Sequence, residues 1–163
     1  MFENIRRRAT TSIFYRFLRN FLLKMRFNKL SFSQFGEDME LQKWLPEKSG
    51  KYIDIGSGEP IRGSNTYFLY KRGWNGILVD GIKSNYIFNK IFRRKDIAIH
   101  ALINEAYDNV KFWQFDAYEY STMNAEIAKE LIEKGNIKLK KIGILRTSPL
   151  RDVSFQMDPL SPT

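Results

Sequence analysis

The chain has 163 residues, enough for one domain and too few for two ordinary ones. Hydrophobic residues make up 43% and charged residues 28%, a globular balance rather than a disordered one, and no apolar run approaches the roughly 18 residues of a membrane span. Cysteine is absent and His100 is the single histidine, so disulfides, thiolate sites and cysteine nucleophiles are excluded, and no metal site is expected.

The formal charge of +9 is unevenly spread. Residues 1–30 hold Arg6, Arg7, Arg8, Arg16, Arg19, Lys24, Arg26 and Lys29 against one acid, Glu3, which leaves residues 31–163 at only +2. In that arm Ile13, Phe14, Phe17, Leu18, Phe21, Leu22 and Met25 recur at three- and four-residue steps behind Thr10, Thr11 and Ser12. The pattern predicts a basic amphipathic helix with N-cap oxygens ahead of it. Such helices usually pack the apolar stripe on their own domain and leave the charges in water. The competing role is peripheral attachment to an anionic membrane surface or to a partner. Arg-rich, acid-poor composition is also shared with organelle transit peptides.

A second helix is expected from Ser33, with Glu37 and Asp38 in its early turns, apolar surface from Phe35, Met39, Trp44 and Leu45, and Pro46 as its stop. Residues 47–50 read as a turn. Lys51–Ile55 reads as a strand breaking into Gly56-Ser57-Gly58, followed by a helix over 64–72 capped by Ser64 or Asn65 and closed by Gly73. A strand over 76–80, a helix over 85–94 capped by Ser84 and a strand over 97–102 complete a βαβαβ pattern. That pattern implies an α/β fold with a largely parallel sheet, the first half of a Rossmann-like fold. Beyond it come a strand over 110–115, a helix over 123–134 capped by Ser121 or Thr122 and stopped by Gly135, and an extended run over 137–145. From Pro149 onward the tail holds three of the five prolines, shows no period and reads as irregular. The organisation is an arm over 1–30, a domain over 31–150 and a tail over 151–163.

The chemistry concentrates at two strand ends. Asp54, Gly56 and Gly58 close the first strand, where glycines allow the backbone to approach a ligand. Asp80 ends the second strand 22 residues after Gly58, about where an acid accepts the two ribose hydroxyls of a nucleoside. The third glycine of the dinucleotide fingerprint is replaced by Ile61, and only Arg62 in the loop is basic. A nucleoside without phosphates, such as S-adenosylmethionine, therefore suits the acids better than NAD. His100, in the middle of its strand, reads as a sheet histidine rather than a base.

Ser33-Gln34-Phe35-Gly36-Glu37-Asp38, Tyr52 to Gly58, Ser64-Asn65-Thr66, Gly73 to Ile77 and Tyr120-Ser121-Thr122 together resemble the FkbM-type S-adenosylmethionine-dependent methyltransferases over about residues 31–150. The resemblance implies a Rossmann-like methyltransferase fold and methyl transfer, usually to oxygen, on a small-molecule or saccharide acceptor. It would place Asp54, Gly56 and Gly58 at the cofactor's amino-acid end, Asp80 at its ribose, and Asn65 and Thr66 at a helix start beside it. No catalytic base is assigned, and a cytoplasmic protein is expected. Two departures stand out. Asp80-Gly81 replaces the family's Glu-Pro, and no Asp-x-Glu-Gly strand follows. The expected fold is thus incomplete, as in a chain cut short, with an unpaired edge on the first strand and a one-walled crevice. The alternative is a non-enzymatic Rossmann-like remnant acting as a membrane-surface or protein interaction module. Nucleic-acid binding through Trp74, Trp113 and Phe115 is disfavoured, because aromatics on strands are usually core.

Overall fold

The computed structural model describes residues 12–25, 31–45 and 49–155. Thr10, Thr11, Pro46, the start of the 47–50 turn and the end of the tail lie outside the described residues. Three parallel strands run in the order β1 (Lys51–Ile55), β2 (Asn75–Asp80) and β3 (Ile97–His100). Every residue of β2 after Asn75 is buried, as a strand covered on both faces requires. Gly76 is obligatory there, since a Cβ would stand 2.1 Å from the Tyr52 carbonyl oxygen. Among the described residues β1 is an outer edge of this sheet.

Two helices cross over between these strands, α3 (Tyr67–Lys71) and α4 (Lys83–Phe92). They bury Tyr67, Phe68, Leu69, Phe88 and Phe92 with Phe32, Ile61 and Trp74 in the larger core. Their starts differ from expectation. The Ser64 hydroxyl accepts the Tyr67 N–H at 3.1 Å, as a cap should, but Ser84 lies inside the first turn of α4. Before the sheet, α2 (Glu37–Trp44) begins later than Ser33, because Ser31 to Gly36 fold into a loop tied to Asp38. Phe35 and Trp44 are exposed rather than packed.

A second, mixed sheet orders β4 (Leu102–Ile103), β6 (Leu139–Ser148) and β5 (Asn109–Phe115), with β6 parallel to β4 and antiparallel to β5. Helix α5 (Ala125–Lys134) is capped not by Ser121 or Thr122 but by Asn124, whose side chain accepts the Glu126 and Ile127 N–H groups; Gly135 ends it with φ 66°. The tail also departs from expectation. Leu150–Phe155 form helix α6, and Val153 is buried against Ile77 and Val79 of the parallel sheet. Tertiary burial supplies there what a six-residue segment cannot show as a period.

The largest correction concerns α1 (Ile13–Met25), which docks with its faces reversed. Ile13, Phe14, Phe17, Leu18, Phe21, Leu22 and Met25 remain 41% to 74% exposed, whereas Asn20 is fully buried and Arg16 and Arg19 point into the domain. Only Phe17, at 5.5 Å between ring centroids from Phe92, and the partly buried Leu23 join the core from this helix. Full burial of each such apolar side chain would contribute roughly 1.5–3 kcal/mol. Polar contacts, not the hydrophobic stripe, therefore fix α1 to the domain.

Candidate functional site

At the carboxyl ends of β1 and β2 lies an open cavity of about 730 Å³. Its floor is the turn after β1. Gly56 and Gly58 adopt φ of 71° and 63°, the left-handed region open to glycine, while the Gly56 and Ser57 N–H groups donate to the Val79 carbonyl at 2.8 and 3.1 Å. This turn brings the Gly58 N–H to Asp80, where it donates to Oδ2 at 2.8 Å. The Ile82 N–H donates to Oδ1 at 2.7 Å and the Asn85 amide to Oδ2 at 3.2 Å. Burial pushes the Asp80 carboxyl above its ordinary value, and these three donors partly offset that rise. A carboxylate offers about four lone-pair positions, so one remains for a ligand hydroxyl.

The opposite wall was not foreseen. A 3-10 turn, Tyr118–Tyr120, follows β5, and the Tyr118 ring lies 3.3 Å from where a Cβ on Gly58 would be. Burial, then the Glu119 charge, pushes the Tyr118 phenol up to about 12, so it stays protonated near neutrality. Glu119, Ser121, Thr122 and Met123 continue this wall of the cavity.

At the mouth, Glu59 is 4% exposed and lies between two guanidinium groups of α1. Arg16 Nε donates to Glu59 at 2.8 Å, and Arg19 pairs with the other carboxylate oxygen. Arg16 also donates to the Ser84 hydroxyl at 2.9 Å and to the Asn85 side-chain oxygen at 2.5 Å. Asn85 thus connects α1 to the carboxylate of Asp80. Sequence reasoning missed this cluster. Its signal was Arg16 and Arg19, three apart on the polar side of an apolar stripe, with an acid directly after Gly58.

The sequence-derived residues divide evenly. Gly56, Gly58 and Asp80 line the cavity, whereas Asp54, Asn65 and Thr66 are not in its wall. Asn65 is exposed. The Thr66 hydroxyl donates to Asp54 at 2.6 Å and accepts from Arg93 at 3.2 Å, within a buried network behind the turn. Arg93 is its hub, 1% exposed and bonded also to Asp96, Tyr52 and the Pro60 carbonyl. Burial raises the Asp54 carboxyl above its ordinary value. From the leading motif, Ser33 and Gln34 reach the cavity wall. His100 stands outside it, with Nε2 3.1 Å from the Gly81 carbonyl. Trp74 and Phe115 are core.

No cluster of metal-ligating side chains occurs among the described residues, and none of their helices is long and apolar enough to cross a membrane. Comparison with protein-family models, with curated proteins and with solved structures found no match.

Proposed function

We propose that this chain is an S-adenosylmethionine-dependent methyltransferase of the FkbM type, acting on a hydroxyl oxygen of a sugar or secondary metabolite. Its parallel sheet is read as the first half of a Rossmann-like methyltransferase fold. The observation that carries the reading is the Gly58–Asp80 clasp, which presents a buried carboxylate beside a left-handed glycine turn at the floor of an open cavity. A nucleoside's ribose hydroxyl can take the acceptor position left on Asp80, and the lack of a side chain at Gly56 and Gly58 lets the ligand lie against the backbone. The cofactor supplies a methyl group already activated by sulfonium charge. What the protein contributes is alignment. The neutral phenol of Tyr118 is a hydrogen-bond donor for that task, and residues 118–123 restrict water on one side.

Thermal melting of the full chain with S-adenosylhomocysteine tests this reading. Ligand at a hundredfold excess over its dissociation constant adds about 2.7 kcal/mol, a shift of several degrees. Adenosine alone should give a smaller shift in the same direction. A cooperative melt unmoved by either compound would refute the reading.

A further inference from the structure

We propose that the outward face of α1 is a docking surface for an anionic phospholipid bilayer, on which the helix lies in the plane of the interface. Ile13, Phe14, Leu18, Phe21, Leu22 and Met25 form an apolar stripe that faces solvent, with Phe17 at its inner edge packed on Phe92 and still 41% exposed. The stripe is exposed because the opposite face is committed: Arg16 and Arg19 engage Glu59, and Arg16 extends to Ser84 and Asn85. Rotating the helix to bury the stripe would pull both guanidinium groups from that carboxylate.

Charge selects the occupant. With Arg16 and Arg19 turned inward, Lys24 is the cation left on the helix, and the sequence on either side of it carries Arg6, Arg7, Arg8, Arg26 and Lys29 against the single acid Glu3. An apolar stripe of Phe, Leu, Ile and Met on a helix whose flanking sequence is basic matches acyl chains below anionic headgroups. The helix spans 13 residues, about 20 Å, which suits lying on a bilayer and not crossing one. Arg19 also belongs to the cavity wall, so docking on this face holds the cavity beside the membrane.

Cosedimentation of the full chain with phosphatidylcholine vesicles, with and without phosphatidylserine, tests the proposal. Binding should require phosphatidylserine and weaken with added salt. The double variant Phe14→Glu/Phe21→Glu should retain the wild-type far-UV spectrum and lower partitioning by about tenfold or more. Should that pair disturb folding, Lys24→Glu provides a second surface variant and should weaken binding at least severalfold. Absence of vesicle binding, equal binding to both compositions, or a self-association abolished by the Phe variants would each overturn the proposal. In the last case the face would belong to a second copy of the chain.

Discussion

The backbone N–H of Gly58 donates to the carboxylate of Asp80 at 2.8 Å, tying the turn after one strand to the end of the next. Gly58 makes this bond while holding φ 63°, a backbone conformation that side chains resist. Cavity floor and candidate ribose acceptor are therefore one unit.

Gly58→Ala should destabilise the fold by about 1–2 kcal/mol through backbone strain alone. A Cβ would also press on the Tyr118 ring at 3.3 Å. Urea unfolding of Gly58→Ala, Tyr118→Leu and the double variant separates the two effects. A coupling of about 0.5 kcal/mol or more is expected. Strict additivity would show that the ring does not constrain this turn.

Much of the sheet was legible because its strands are short β-branched runs punctuated by Gly and Ser, as at Lys51–Ile55 and Gly76–Asp80. Helix ends were less so, since Ser84 and Asn124 compete with neighbouring residues for the capping role. The reversal of α1 was not legible. Periodicity tells which residues share a face, but not which face docks. That choice rests on contacts from Arg16 to residues 43 and 68 positions away. In the site, Gly56, Gly58 and Asp80 were readable from spacing. Tyr118 was not, because the β5–β6 pairing and the 3-10 turn that place it depend on tertiary structure.

Glu59→Gln should remove the carboxylate that Arg16 and Arg19 share at a largely buried position. The expected cost is about 2–4 kcal/mol, less than for a fully buried pair because both guanidinium groups keep some solvent contact. Release of α1 should accompany it, seen as faster proteolysis within residues 13–25. Unchanged stability and cleavage would mean that the two ion pairs do not hold the helix.

Arg93→Met should be among the most damaging single changes. It strips Asp96, whose side chain is fully buried, of its charge partner, and also frees Tyr52, Thr66 and the Pro60 carbonyl. A loss of about 3–5 kcal/mol is expected. Arg93→Lys should rescue little, since one ammonium cannot serve acceptors spread around a planar fork. A melting temperature near wild type for either variant would contradict this role.

Asp38 should shape acid stability. Burial alone would raise its carboxyl, but hydrogen bonds from the Phe32 N–H, at 2.6 Å, and from the Ser31 and Ser33 hydroxyls outweigh it and hold the group below its ordinary 3.8. Its stabilising contribution is therefore complete above that value and disappears as pH falls through the lower folded value. The raised carboxyls of Asp54 and Asp80 act oppositely: each opposes folding when ionised and ceases to do so in acid. Asp38→Asn should thus flatten the fall in unfolding free energy across the acid range. Parallel curves for variant and wild type would assign that fall to other groups.

The most direct measurement is titration calorimetry of the full chain with S-adenosylhomocysteine, repeated with Asp80→Ala after circular dichroism has shown that the variant is folded. The account predicts saturable binding with a dissociation constant on the order of micromolar, weakened roughly ten- to a hundredfold in Asp80→Ala by loss of a charged hydrogen bond. A folded wild-type chain that takes up no S-adenosylhomocysteine, or one whose binding is indifferent to Asp80, would contradict the assignment of the cavity as an adenosyl site.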